Sequence, residues 1–514
     1  MNKLLRRDFL KGMATIPFLG YFGFAFKDNI TKELLSKKSK DYRETLKIGQ
    51  LEAPDEKLLP PTGIDGKCIR VGLIGNGWRG ERLLQSLGYV HPDFVKENTV
   101  NGSYNEKLRD FLTQEDLNVH ITGICDVFSI HTQRGVEISA NDFHPGGRKT
   151  GQKPAKVYAS YRDMVTSDEI DAIIIATPDH THVPMAVAAA KAGKHVYLEK
   201  PMAHSIEEAV ELKNTIKATG VVFQLGHENR QQMSYKVARE LYLKGVMGEV
   251  TMVQTYTNRN TRFGAWIRDD AFDHLQGNQN NIDWKEFLGN APWHEFDLKR
   301  FFSWQRYSDY GTSVTGNDFS HTYDCINQVL SLGIPESVVA LGGQHYYKTH
   351  GDMPDVLNAV FHYPERGLTM TYDCSLKNGI YRPSHILGSE ASMDIDRAIL
   401  LKKDDNSVRY KNTEIKTSDP LFYYKPNSGV DAVSSATARN YFNSGYGPTF
   451  IDGKVIDVTF LHIKEWIDAI RGQGKTSCNI DAGFEEAVTF NLANLAYVHK
   501  KPVRWDAKNE KAII

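Results

Sequence analysis

Cysteine is scarce and scattered. The 514-residue chain has five, Cys68, Cys125, Cys325, Cys374 and Cys478, and no C-x-x-C pair. That excludes the usual zinc patterns and a dense disulfide framework, and leaves the thiols as packing residues. No metal site is expected. An excess of one charge is also absent: 62 Lys and Arg stand against 63 Asp and Glu, a formal net charge of -1. Nothing therefore suggests nucleic acid or an anionic membrane as a partner. Long apolar runs are missing too. The uncharged stretch Gly12–Phe26 falls short of the roughly 20 residues that span a bilayer. What remains is an ordinary globular composition, 41% hydrophobic and 24% charged, long enough for two domains or more.

The N-terminus carries a basic segment, "MNKLLRRDFLKG", before that short apolar run. This order indicates an export signal rather than a membrane anchor. Arg6-Arg7-Asp8-Phe9-Leu10-Lys11 resembles a twin-arginine signal, so residues 1–30 are expected to direct export to the periplasm. Residues 31–66 are charged and approach Pro60-Pro61, the texture of a linker arm.

From Cys68 onward, apolar runs alternate with helical stretches. Val71–Ile74, Val119–Cys125, Ala172–Ala176, His195–Leu198 and Val221–Leu225 read as strands with helices between them, the pattern of βαβ units on a parallel sheet. Ser205-Ile206-Glu207-Glu208 has the form of a capping box. Past residue 245, runs such as Leu357–Tyr363 and Leu368–Tyr372 alternate as antiparallel strands do, with a hairpin at Pro364–Gly367. Residues 403–450 read as a polar surface excursion, and Val458–Arg471 and Ala482–His499 as helices. The fold expected is α/β: a doubly wound parallel Rossmann sheet over 67–202, then an α+β domain with a large open mixed sheet over 203–506.

"VGLIGNGWRG" places Gly75-Asn76-Gly77-Trp78-Arg79-Gly80 between a strand and a helix, the context of a dinucleotide loop. The glycines allow a tight turn, close approach of a pyrophosphate and close helix–strand packing. Asp126 ends the next strand, where a carboxylate can accept from ribose hydroxyls and repel a 2′-phosphate, which favours NAD over NADP. It comes more than twice as late as the usual spacing of about 20 residues, so the stretch from Gly88 to Asp116 reads as an insertion. The alternative is that Asp126 only caps a helix. Thr177-Pro178-Asp179-His180-Thr181-His182 and Glu199-Lys200-Pro201 follow two further strands, at ends that face the ligand crevice of such a sheet.

Together, G-N-G-W-R-G, A-T-P-D-H-T-H, E-K-P-M-A, "GHENR", "NIDWKEFLGNAP", "GNDFSHTYDCINQVL" and "HIKEWIDAIRGQGKTSCNIDAGFEEAV" resemble the glucose-fructose oxidoreductase/inositol dehydrogenase (Gfo/Idh/MocA) family, over roughly 67–506. The resemblance implies NAD bound by residues 75–80, Asp126, Thr177, Pro178, His182, Glu199, Lys200 and His227. It implies Lys200 at both nicotinamide ribose and substrate alcohol, and His321 as the proton-transfer residue. Asn317 stands where the family has an acid, with Asp318 and Asp324 nearby. These three and Arg230 are the candidates for contact with the substrate, although Arg230 could equally be an ion-pair residue. The function implied is NAD-dependent oxidation of a sugar or glycoside CH–OH on a tightly held cofactor, in a homo-oligomer. A redox-neutral NAD-dependent glycosidase is the alternative, and a non-catalytic sugar-binding protein a third. His182 is expected beside the cofactor loop and His180 exposed. Trp266, Arg268, Trp304, Arg306 and Tyr310 could form a sugar platform or be packing.

Overall fold

The apolar runs become a six-stranded parallel sheet. A computed structural model describes residues 68–147, 153–260, 266, 277–348, 351–396, 398–412, 420–424, 448–451 and 454–514. The export-signal and linker segments and Arg268 lie outside the described residues. The strands are β1 (Ile69–Ile74), β2 (Val119–Cys125), β3 (Lys156–Val157), β4 (Ala172–Ile175), β5 (His195–Leu198) and β6 (Phe223–Leu225). Their order is β3-β2-β1-β4-β5-β6, that of a doubly wound sheet. Helices α1 (Trp78–Ser86), α2 (Ser129–Ala140), α3 (Asp179–Lys191) and α4 (Ile206–Thr219) connect them. All of β4 is buried, because helices on both faces leave a central parallel strand no solvent side.

Local chemistry sets the helix ends. Ser205 caps α4, its Oγ accepting from Glu208 N–H at 3.2 Å. The Glu208 carboxylate reaches back to the His204 N–H (2.9 Å), one residue earlier than the capping box predicts. The delay before Asp126 has a structural cause. Helices Pro92–Glu97 and Glu106–Thr113, joined by a two-stranded ribbon, enclose a small core of Val90, Leu108 and Phe111.

Chain contacts divide the molecule into two units. One holds Gln232–Thr251 and His385–Ile456; the other runs through Gln231, then Met252–Ser384 and Asp457–Ile514. In the larger unit, β7 (Val250–Asn258, from Met252), π-helical Thr315–Phe319, α5 (Ser320–Leu330), β8 (Ser337–Gly343), β9 (Val356–Tyr363) and β10 (Leu368–Ser375) follow the parallel sheet. The mixed run β7-β10-β9-β8 pairs β7 with β10 in parallel and the rest antiparallel. Strands β9 and β10 alternate between buried and more open positions, as strands with one covered face do.

The smaller unit contains β11 (Ser384–Gly388, from His385), β12 (Ala391–Ile395), β13 (Ile399–Lys403) and β14 (Phe422–Tyr424). The excursion expected over 403–450 is thus partly strand. Leu421 and Phe422 are fully buried because β14 pairs with β13.

Helices α6 (Val458–Ile470) and α7 (Ile480–His499) return the chain to the larger unit, and β15 (Val503–Asp506) with β16 (Lys511–Ile513) extends the run beyond β8. Helix α6 packs on α1 and on the Glu228–Gln231 turn, and α7 on α4, β6, β8 and β15. No disulfide joins the cysteines, and Cys125, Cys325, Cys374 and Cys478 are buried. Trp466 of α6 is fully buried and meets Tyr197 of β5 edge to face, ring centroids 5.7 Å apart. Trp466→Ala should cost about 3–5 kcal/mol, read as a lower urea midpoint. An unchanged midpoint would place Trp466 outside the core.

Candidate active site

Adjacent strand ends are locked together by their first loop residues. Gly75 N–H donates to the Cys125 carbonyl (2.9 Å), Ala176 N–H to Ile74 (2.9 Å), Glu199 N–H to Ile175 (2.9 Å) and Gly226 N–H to Leu198 (2.7 Å). The loops after β2, β1, β4, β5 and β6 therefore emerge side by side at the carboxyl edge, where doubly wound sheets bind ligands.

The loop after β1 needs two of its glycines for backbone reasons. Gly75 sits at φ +88°, and a Cβ there would lie 2.5 Å from the Ala176 carbonyl oxygen. A Cβ on Gly80 would lie 2.2 Å from the Gly75 oxygen. Gly77 is different: its nearest neighbour would be His131 Cε1 at 3.7 Å, an ordinary contact, so a Cβ would fit there without a clash. No side-chain cap closes the start of α1, the kind of helix N-terminus that receives an anion. Asn76 is fully buried and donates to the His131 carbonyl, while its Oδ1 is buried without a hydrogen bond. Asp126 accepts from Asn76 N–H (2.6 Å) and from Phe128 N–H (2.8 Å), one on each carboxylate oxygen. Each oxygen keeps a lone pair for a further donor such as a ribose hydroxyl. An uncapped helix start, a glycine at position 77 and an acid at the next strand end fit the phosphates and ribose of NAD. Trp78 is exposed, whereas Arg79 points inward.

His182 is tied on both ring nitrogens, Nδ1 to the Pro201 carbonyl and Nε2 to the Thr177 carbonyl, each at 2.8 Å. It staples the loop after β4 to the loop after β5. Thr177 Oγ1 accepts from Thr181 Oγ1 (2.8 Å), and Pro178 precedes the first turn of α3. His180, expected exposed, is buried, with Nε2 on the Phe287 carbonyl (2.8 Å) and its backbone N–H on Tyr310. The Trp284–Leu288 helix and the turn before Thr312 fold over α3's N-terminus and supply those partners; Asp179 accepts from Thr312 N–H and Oγ1. Of the platform candidates, Tyr310 and Arg306 are buried and Trp304 packs on the aromatic cluster of Phe128, Phe287 and Phe301, which makes these three packing residues. Trp266 faces the Arg259 guanidinium, 5.9 Å from its ring centroid.

Charged side chains converge behind these loops. Arg79 Nε donates to Glu199 (2.7 Å) and its NH2 to Glu228 (3.0 Å). Burial raises the Glu228 carboxyl to about 7, against the pull of Arg79. Lys200 Nζ donates to the Asn317 carbonyl at 3.2 Å. Asn317 lies in the buried π-helical turn, a wound-out turn of the kind often found at functional sites, and its Nδ2 donates to the Ser313 carbonyl. His321 follows in the first turn of α5. Burial, then Lys200, His227, Arg259 and Arg79, hold its imidazole well below the usual proton affinity. Asp318 is buried and paired with Arg259.

His227 and Glu486 are both buried and lie 3.2 Å apart. Burial opposes charge on His227, but Asp324 and Glu486 outweigh it and raise its proton affinity. Arg230 and Asp324, placed on the substrate by the sequence, are engaged with each other: Nε and NH2 of Arg230 reach Asp324 Oδ1 at 2.8 and 2.6 Å, and NH1 takes the Ser477 carbonyl. Arg259, Glu228 and Glu486 were not singled out by sequence reasoning. Glu228 and Glu486 had a signal, as parts of "GHENR" and of the C-terminal motif ending "GFEEAV"; Arg259 had none, because only the fold brings it near. Among the described residues, no three His, Cys, Asp or Glu side chains cluster as metal ligands.

Two measurements follow from this geometry. Gly80→Ala should abolish NAD binding by displacing α1, whereas Gly77→Ala should keep the melting temperature yet weaken NAD at least tenfold in calorimetric titration. Equal affinity for wild type and Gly77→Ala would exclude a phosphate at that glycine. Burial lowers His180 to about 4. The unfolded chain binds that proton from about pH 6.5, so stability is intact above 6.5 and lost as pH falls toward 4, by up to about 3 kcal/mol. Urea midpoints across this window should fall in wild type and flatten in His180→Gln.

Residues 69–227 match the model of an oxidoreductase family described as having an NAD-binding Rossmann fold, GFO_IDH_MocA. Similar proteins include 2,7-anhydro-N-acetylneuraminate hydratase of Escherichia coli K12, 28% identical over 238 residues (45% of this chain, 53% of the relative). Levoglucosan dehydrogenase of Pseudarthrobacter phenanthrenivorans is 26% identical over 185 residues (36% and 42%). A glycosyl hydrolase family 109 protein of Shewanella amazonensis is 34% identical over 151 residues (29% and 27%). The chain spans about half the length of these relatives or less. The fold extends further: WlbA dehydrogenase from Bordetella pertussis, in complex with NADH and UDP-GlcNAcA, aligns with a TM-score of 0.55 at 15% identity, over 85% of this chain and 98% of that one. Levoglucosan dehydrogenase in complex with NADH and levoglucosan aligns at 0.56 and 15%, over 85% and 99%. With its glycine loop, strand-end acid and E-K-P lysine gathered on one sheet edge, the segment 69–227 carries the NAD-binding Rossmann domain of the Gfo/Idh/MocA oxidoreductase family.

Proposed function

We propose that this protein oxidises a CH–OH group of a sugar or glycoside, using NAD that stays bound between turnovers. The observation that carries the proposal is the contact of Lys200 Nζ with the Asn317 carbonyl, one turn before His321. It sets an ammonium from the cofactor sheet beside a half-buried imidazole whose Nδ1 is shut off from solvent. Oxidising an alcohol requires a base for the hydroxyl proton and a positive group for the oxygen left behind. His321, held neutral by burial and by surrounding cations, is free to accept the proton. Lys200 is positioned to hold the oxygen. Bound NAD would supply the hydride acceptor. Asp126 is placed for the ribose, which favours NAD over NADP.

A redox-neutral variant is the second proposal. It is favoured by the relatives named as a hydratase and as a glycosyl hydrolase. Here transient oxidation would acidify the neighbouring C–H, a substituent would leave, water would add and the ketone would be reduced again. Export to the periplasm is proposed from Arg6-Arg7-Asp8-Phe9-Leu10-Lys11. Among the described residues no helix is long and apolar enough to cross a membrane. Homo-oligomerisation is proposed from the open sheet face, where Val339, Leu341 and Val360 are exposed together.

The test is to denature purified protein, measure released NAD(H), and offer the native protein free sugars and aryl glycosides. Reduced cofactor with sugar supports the dehydrogenase; leaving-group release without net reduction supports the redox-neutral cycle. Lys200→Ala should lower kcat/KM about 10²- to 10³-fold on either path. Protein that releases no nucleotide and shows no Lys200 effect would be a binding protein, contrary to both proposals.

A further inference from the structure

Behind His321 lies a buried acid–imidazole pair that the proposed reaction leaves unused. The His227 ring meets the His321 ring edge to face, centroids 5.5 Å apart and planes at 86°. His227 Nε2 lies 3.2 Å from Glu486 Oε1, and each of these two residues is 1% exposed. The contact is one of charge rather than an aligned hydrogen bond: both ring nitrogens of His227, both Glu486 carboxylate oxygens and His321 Nδ1 are buried without a hydrogen bond. Glu486 arrives from the middle of α7, far from the cofactor loops in sequence.

We propose that His227 and Glu486 are positioning residues for His321: Glu486 fixes the His227 ring and its charge, and that charge keeps His321 neutral and ready to accept the substrate proton. This deepens the dehydrogenase proposal and rests on it for the role of His321. The layout is the acid–imidazole arrangement by which a carboxylate orients a ring and stabilises its cation, placed here one residue behind the base.

The groups facing His227 bear this out. Asp324 on α5 and Glu486 on α7 favour its cation; Arg230 of its own turn opposes it. Glu228 of the same turn, His462 on α6 and His321 on α5 also lie in its field. On His321, His227 acts with Lys200, Arg259 and Arg79 against protonation. The sign follows. A cationic His227 disfavours a second proton on His321, so the base stays unprotonated to lower pH. Loss of that charge, by His227→Gln directly or by Glu486→Gln through a less basic His227, lets His321 bind a proton at higher pH.

The experiment pairs two readouts. Imidazole NMR titration of the NAD-loaded protein, without substrate, should show one histidine, lost in His227→Gln, titrating above the ordinary range. Glu486→Gln should move that titration down by at least one pH unit, a tenfold loss of proton affinity, and Glu486→Asp should restore most of it. In the pH profile of kcat/KM, the acid limb should move to higher pH in both His227→Gln and Glu486→Gln, and return toward wild type in Glu486→Asp. A His227 titration indifferent to Glu486, or an acid limb unmoved in both variants, overturns the inference. Should Glu486→Gln fail to fold, wild type and Glu486→Asp still decide it, because a wild-type His227 titrating at its ordinary pH is enough to reject it. Failure of the dehydrogenase proposal looks different: the titrations behave as expected but no sugar is oxidised.

Discussion

One guanidinium between two carboxylates holds the candidate site together. Arg79 rises from the cofactor loop after β1 and binds Glu199 after β5 and Glu228 after β6. Three strand ends are thereby tied through a single, largely enclosed side chain. Removing one partner from a buried ion pair typically costs 3–5 kcal/mol, because the remaining charge is left uncompensated. Here two carboxylates would be left. Their mutual repulsion and their burial push Glu228 toward protonation near neutral pH. The loop that receives the phosphates and the loop that carries Lys200 thus form one mechanical piece. Fixing that spacing in advance is what a reaction between cofactor and substrate requires.

The remaining charges fall into pairs around this tie. Arg230 is matched by Asp324, Arg259 by Asp318 and His227 by Glu486. Lys200 is matched by a carbonyl rather than an acid. His321, at the centre, has cations on several sides and no carboxylate among its strongest influences. Such a site favours negative charge on a bound oxygen, which develops when an alcohol loses its proton. The same surroundings suit an enolate, so both proposed reactions draw on one electrostatic arrangement.

Much of this was legible in the sequence, for identifiable reasons. Apolar residues fill the buried positions of the parallel strands, so Val119–Cys125 and His195–Leu198 end where the sequence places them. Gly75 and Gly80 were legible because turn and packing leave no room for a side chain. Ser205 was legible as a cap, but its reciprocal contact fell on His204, a shift set by local backbone geometry. Burial of His180 was not legible, because its partners come from the segment around Phe287 and Tyr310, more than a hundred residues later. For the same reason Arg230 and Asp324 read as ligand contacts: nothing local reveals that each completes the other. Glu486 stands within the C-terminal motif but nothing local ties it to His227, and Arg259 stands in a stretch with no motif; only the packing of α7 and the end of β7 brings them to the site.

Asn317 sets the charge balance around Lys200. A carboxylate at this turn would sit beside the Lys200 ammonium, whose present contact is the backbone carbonyl of the same residue. A charge-assisted bond to an acid is roughly twice as strong as one to a neutral acceptor, so an acid would hold the ammonium and neutralise it. With an amide, whose nitrogen is turned to the Ser313 carbonyl, the lysine keeps its full charge and a weaker tether. It can exchange that carbonyl for a substrate oxygen at modest cost. The nearest acid in sequence, Asp318, cannot take over, because Arg259 already occupies it. The amide at 317 therefore leaves Lys200 without an acid in direct contact, at the position where the proposed reaction would hold an oxygen anion.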